Sequence, residues 1–199
     1  MSIHKTSAII LIFLTIFIGH SLAQQSSVKI DLRNGWNSIS VPYKDLSIIK
    51  NDCSIKSIYH FNAIYKKYEK LEKLENAKPG LGYWVYAAIG CNLTFSGTQA
   101  VEISDLGDGF NGSLKTVWNQ IGSTSQIMDI LDNSGDCELK YFYIYSNEKK
   151  IFEKSYLLEP GNAYWIYAKN NCTLGSYALG PIPEINTQIN IIENPKDDT

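Results

Sequence analysis

The chain is written mostly in the two-residue period of β-strands. Ser27-Val28-Lys29-Ile30-Asp31-Leu32 alternates polar and apolar positions. Arg33-Asn34-Gly35 then turns, and Trp36-Asn37-Ser38-Ile39-Ser40-Val41 alternates again until Pro42. After Cys53, the run Ile55 to Phe61, a turn near Asn62-Ala63 and a return to Tyr68 predict a β-hairpin. Pro79-Gly80 supplies a further turn, Tyr83-Trp84-Val85-Tyr86 another strand, and Cys91 to Phe95 a last one. Helical spacing is scarce. Leu46, Ile48 and Ile49 predict one short turn of helix. Ser125 is placed to cap a second, with Ile127, Ile130 and Leu131 at i, i+3 and i+4 and a stop at Asn133-Ser134-Gly135.

The same order of signals occurs twice. Trp36-Asn37 is matched by Trp118-Asn119, and Cys53 by Cys137. The hairpin after Cys53 is matched by Leu139–Tyr145, a turn at Ser146-Asn147-Glu148 and a return through Ile151-Phe152. Lys66, Tyr68, Glu69 and Lys70 fall on Lys150, Phe152, Glu153 and Lys154 without a gap. A loop then shortens in the second copy. The register resumes where Pro79-Gly80-Leu81-Gly82-Tyr83-Trp84 meets Pro160-Gly161-Asn162-Ala163-Tyr164-Trp165, and Cys91 meets Cys172. The prediction is a mostly β protein: two tandem small β-sandwich or barrel modules, each with at most one short helix and one disulfide. Residues 27–97 form the first module, 98–112 a linker, 113–180 the second module and 181–199 a flexible tail.

The duplication also selects among the three pairings open to four cysteines. If each copy closes its own bond, Cys53 joins Cys91 and Cys137 joins Cys172. Zinc is opposed by the spacing, because there is no Cys-x-x-Cys pair and His60 is the only histidine beyond the N-terminal segment. No metal and no cofactor is expected.

Met1–Ala23 carries the marks of a secretory signal peptide: a short polar start, an apolar run from Ala8 to Ile18, and small residues at Ser21 and Ala23. That run is shorter than the about 20 residues a membrane span needs, although a retained anchor is the competing reading. No later segment is apolar enough to span, so no membrane span is expected after cleavage. The formal net charge of −2 argues against a nucleic-acid partner, which calls for a basic stripe. Thirteen tyrosines make the aromatic content a folding composition.

"GWNSISVP" followed by "LGYWVYAAIGCNLTFSG" resembles a tandem extracellular β-repeat with GWN…GYW motifs found in secreted and surface proteins of archaea and bacteria. The resemblance covers residues 29–97 and, more loosely, 114–179. The second copy departs from it: Val117 stands for the glycine before Trp118, and Ala163 for the glycine before Tyr164. It implies an extracellular β-module and no catalytic residues.

The candidate chemistry is therefore that of binding. Trp36, Trp84, Trp118 and Trp165 suit sugar stacking, but their place in the most faithful part of each repeat predicts core positions. With the tryptophans inside, Tyr83 and Tyr164 fall on the outer face. Tyr59 and Phe61 share one face of the first hairpin, and Tyr143 and Tyr145 one face of the second. These six form the candidate binding row, with sheet packing as the alternative. A catalytic triad would have to run through His60, whose counterpart is Ile144, so a strand-edge or surface histidine is expected. Glu69 with Glu153, and Asp52 with Asp136, recur in both copies and keep a paired-carboxylate hydrolase open. Asp105, Asp108 and Asn111 do not match an EF-hand loop. Asn92, Asn111 and Asn171 are candidate N-glycosylation acceptors. The expected function is a non-catalytic secreted or cell-surface interaction module contacting a glycan or surface protein. The alternatives are an extracellular polysaccharide hydrolase and a structural spacer.

Overall fold

The computed structural model describes residues 25–106, 109–131 and 134–175. The signal-peptide reading, Asp108 and the tail lie outside the described residues.

The fold is mostly β, and helix occurs among the described residues only as two 3-10 turns, at Leu74–Asn76 and Ile103–Leu106. In the first copy, β1 (Gln25–Leu32) and β3 (Tyr43–Asn51) flank β7 (Cys91–Gln99) in a three-stranded antiparallel sheet. A four-stranded sheet has the order β2-β6-β4-β5, from β2 (Gly35–Ser40), β4 (Ile55–Asn62), β5 (Lys67–Leu71) and β6 (Gly82–Ala87). Both sheets contribute to one core. Ile30, Leu93 and Phe95 come from the first; Ile39, Ile58, Tyr83 and Val85 come from the second.

The second copy repeats the four-stranded sheet as β9-β14-β11-β12, from β9 (Val117–Ile121), β11 (Leu139–Ser146), β12 (Ile151–Lys154) and β14 (Tyr164–Ala168). Its other layer is reduced to two-residue pieces. β8 (Ser113–Leu114) pairs with β15 (Cys172–Thr173), and β10 (Met128–Asp129) with β13 (Leu157–Leu158). The missing cover comes from the segment expected to be a linker. β7 runs on to Gln99, and Ala100, Ile103, Leu106 and Phe110 are buried in the second core. Neither expected helix forms. Leu46 and Ile48 lie on β3, and the Ile127–Leu131 stretch holds β10 and a turn. Met128 and Ile130 are buried while Ile127 and Leu131 are exposed, so the alternation of a strand overrides the spacing of a helix.

Each copy is closed by its own disulfide, Cys53–Cys91 and Cys137–Cys172. The closed loops, with sequence separations of 38 and 35, are worth about 4 kcal/mol each in the chain-entropy model.

The Trp-Asn signature has a local cause. Asn37 accepts from Arg33 N (2.8 Å) through Oδ1, and its Nδ2 donates to Arg33 O (2.8 Å) and Gly35 O (2.9 Å). Asn119 repeats this with Lys115 N, Lys115 O and Val117 O at 2.9, 2.9 and 3.0 Å. Both asparagines are buried, and each locks the turn into its strand. The turn demands a positive φ, which Gly35 takes at 90° and Val117 takes at 99°. A β-branched side chain is strained there. Val117→Gly should therefore raise stability by about 1 kcal/mol, while Gly35→Val should lower it by at least as much. Urea denaturation checks both, and a destabilised Val117→Gly variant would show that the valine side chain outweighs the backbone strain.

Candidate functional site

The two copies meet about an approximate two-fold axis. Ser40 N donates to Gly161 O (2.9 Å), and the equivalent Gly122 N donates to Gly80 O (2.7 Å). Ile39 bridges to Asn162 as Ile121 bridges to Leu81. In each pair the residues trade places between copies, which is the signature of an isologous contact. Close approach explains the departure at Ala163. A Cβ on Gly82 would lie 3.0 Å from Ala163 Cβ and 2.7 Å from Gln120 Cγ, so the axis has room for one methyl and not two.

The outer faces of the two four-stranded sheets carry the aromatics. On β6, Val85 and Ala87 are fully buried, which turns Trp84 and Tyr86 outward. Trp84 sits opposite Tyr59 on one side and Ser38 on the other, and Trp36 sits opposite Tyr86. In the second copy Trp165 is flanked by Tyr143 and Gln120, and Trp118 lies opposite Tyr167. Cross-strand neighbours on one face of a sheet touch, so these registers assemble two continuous aromatic surfaces.

Each surface folds into an open cavity. The first, of about 490 Å³, is lined by Trp36, Tyr59, Tyr68, Trp84 and Tyr145. The second, of about 450 Å³, is lined by Trp118, Tyr143, Phe152, Trp165 and Phe61. In repeat order these are the same five positions. Each cavity takes four rings from one copy and one from the other. The borrowed rings are Tyr145 against Trp84, with centroids 4.8 Å apart, and Phe61 against Trp165 at 5.0 Å. The cavities adjoin, since Tyr68 of the first touches Phe61 of the second (5.4 Å) and Phe152 of the second touches Tyr145 of the first (5.2 Å). Trp84–Tyr145 and Trp84–Phe152 meet at 71° and 86°, so the rings around Trp84 form walls and a floor, while on the second surface Trp118–Tyr141 and Tyr141–Tyr143 are inclined by only 21° and 24°.

The expected binding row is thus divided. Tyr59, Phe61, Tyr143 and Tyr145 all line the cavities. Tyr83 and Tyr164 do not: each is 1% exposed. Their hydroxyls accept from Lys78 N (2.6 Å) and Glu159 N (2.7 Å), and burial pushes both phenols up to about 12. The tryptophans expected in the core stand instead on the outer face, with Trp36 41% exposed. The inversion has a physical reason. One face of each strand must be core, and the aliphatic set Ile39, Ile58, Val85 and Ala87 claims it. Tyr68 and Phe152, half exposed in both copies, complete the cavities and were not singled out from the sequence. An aromatic held at an exposed strand position of a charged run, twice, was the available signal.

The other candidates lie elsewhere. His60 is half-buried on β4, an interior strand, and not on an edge; its Nδ1 lies 3.1 Å from Gly82 O, and burial lowers its pKa. Glu69 accepts from Asn62, Glu153 pairs with Lys149, and Asp136 accepts from Thr173 N; among the described residues no carboxylate lines either aromatic cavity. Asp136, Cys137 and Cys172 lie close together, but both sulfurs are spent in the disulfide. Asn111 is exposed, Asn92 is half-buried on β7, and Asn171 Oδ1 accepts from Thr116 N (2.8 Å). Cations border the aromatic faces. Lys70 lies opposite Tyr59 and Lys154 opposite Tyr143, at equivalent positions, and Lys150 Nζ donates to Trp36 O (2.8 Å).

Comparison with known proteins returns no match: no family model, no curated protein and no solved structure is significantly similar to the chain.

The buried phenols set an alkaline limit. Because their folded pKa is raised above the unfolded value near 10, their stabilising effect is complete below pH 10 and is lost as pH rises towards 12. The double variant Tyr83→Phe/Tyr164→Phe should be less stable at pH 8 and lose less between pH 10 and 12. Equal losses in the two proteins, measured by urea midpoints, would remove these phenols as the cause.

Proposed function

We propose that the chain is a non-catalytic interaction protein of the cell exterior that binds an extended ligand in the paired aromatic cavities. The observation that carries this reading is their equivalence. Five aromatic positions are kept in register across a duplication, and their ten rings form two matching cavities open to solvent. A core needs its rings covered, whereas contiguous exposed apolar surface on a small protein marks a contact site. Among the described residues, neither a carboxylate nor a histidine lines either cavity, which favours binding over hydrolysis. Two closed disulfides suit an oxidising compartment, and no helix among the described residues is long and apolar enough to cross a membrane. A surface glycan or a surface protein is the ligand class, and Asn111 and Asn171, both exposed, are the candidate acceptors for a glycan of its own.

Glycan and peptide arrays probed with the secreted protein test this. Trp84→Ala and Trp165→Ala should each cost at least tenfold in affinity for any array hit, and together abolish it, with the far-ultraviolet spectrum retained. Glu69→Gln/Glu153→Gln should leave binding unchanged. Binding indifferent to both tryptophans would move the site elsewhere, and an absence of hits on either array would leave only a spacer.

A further inference from the structure

Resting on that reading, we infer that the groove takes a proline-rich, polyproline II segment of a partner protein, flanked by acidic residues. Three observations select it. First, the rings around Trp84 stand at steep angles and leave slots, whereas Trp118, Tyr141 and Tyr143 on the second surface are tilted by only 21–41° to one another. A sugar polymer stacks best on flat platforms, whereas a pyrrolidine ring is a compact apolar wedge that enters a slot between aromatic walls. The second cavity sharpens this. Its lining of Trp118, Tyr143, Phe152, Trp165 and Phe61 has few polar groups, so the many hydroxyls of a sugar would lose water without replacement. Proline has no amide N–H to desolvate.

Second, the two cavities are related by a two-fold axis and not by translation, as the exchanged pairs Ser40–Gly161 and Gly122–Gly80 show. A chain running through the groove therefore meets the second cavity in the opposite sense from the first. The polyproline II helix, with three residues per turn and no internal hydrogen bonds, offers nearly the same ridges read from either end. Its rigidity also limits the ordering cost of binding.

Third, the charge is one-sided. Lys70 and Lys154 stand opposite Tyr59 and Tyr143, one beside each cavity at equivalent positions, Lys140 Nζ lies 4.8 Å over the Tyr141 ring, and Lys150 Nζ donates to Trp36 O. That arrangement favours acidic groups at both ends of the ligand and opposes a cation, for which an aromatic cage alone would otherwise be suited.

The probe is a fluorescein-labelled decaproline peptide with a glutamate at each end, titrated into the secreted protein and followed by anisotropy. Saturable binding is expected, weakened at least tenfold by Trp84→Ala or Trp165→Ala. Peptides with a glutamate only at the amino end or only at the carboxyl end should bind within about threefold of each other. The double variant Lys70→Glu/Lys154→Glu should prefer a lysine-flanked decaproline, which tests the groove without depending on loss of function. Parallel titrations use a linear β-linked glucose hexasaccharide and anionic phospholipid vesicles. Tryptophan-dependent binding of the hexasaccharide alone overturns the peptide assignment and keeps the binding function. Vesicle binding alone overturns both the peptide and the soluble-ligand reading. Binding of none of the three overturns the peptide, and concentration-dependent self-association lost with Trp84→Ala would assign the groove to a second copy.

Discussion

Two equivalent main-chain hydrogen bonds, Ser40 N to Gly161 O and Gly122 N to Gly80 O, fix how the copies meet. Everything at the aromatic face depends on that contact. A main-chain bond at such a seam needs the two backbones close together, and small residues provide the approach. A Cβ on Gly122 would fall 2.4 Å from Ser40 Cβ, and one on Gly82 would crowd Ala163 and Gln120. Close backbones bring the hairpins of each copy over the sheet of the other. That is why Tyr145 reaches Trp84 and Phe61 reaches Trp165.

The symmetry is approximate, and its defects are informative. Asn147, on the turn after β11, accepts from Ser38 N (2.8 Å) and its Nδ2 lies 3.4 Å from Ser38 O. The equivalent of Asn147 is Ala63, which has no such group. There Gln120, the counterpart of Ser38, reaches across instead and accepts from Phe61 N (3.3 Å) through Oε1. The seam is thus tied on both sides by different residues. Each side thus has a bond between a hairpin and the facing strand, although neither its donor nor its acceptor is the equivalent residue, so what the two copies share is the docking and not those side chains. Val117 shows the same tolerance: the turn before Trp118 retains its positive φ although the residue no longer favours it, because Asn119 holds it from within.

Much of this architecture was legible in the chain. The repeat registers, the hairpins and the choice of disulfide partners follow from alternation and from the doubled order of Trp-Asn, Cys and Tyr-Trp. What the sequence did not reveal was the phase of each strand. In Tyr83-Trp84-Val85-Tyr86 both faces carry a large ring, so hydrophobicity alone cannot say which is buried. The decision belongs to partners distant in sequence: Ile39 and Ile58, opposite Tyr83 and Val85 respectively, face the core. The borrowed rings were hidden for a different reason. Nothing within one copy indicates that its hairpin will wall a cavity in the other.

A module read in isolation therefore gives a misleading account of the protein. Cut apart, the first copy would keep its disulfide and its sheet aromatics but lose Tyr145, and the second would lose Phe61 together with the cover from Ile103, Leu106 and Phe110. The second core is too thin to be indifferent to that loss, because its outer layer consists of two-residue strands. Duplication here did not produce two self-contained cavities, since each borrows a ring from the other copy. It produced halves of one groove, and a ligand held by both cavities would draw on the seam as much as on the rings.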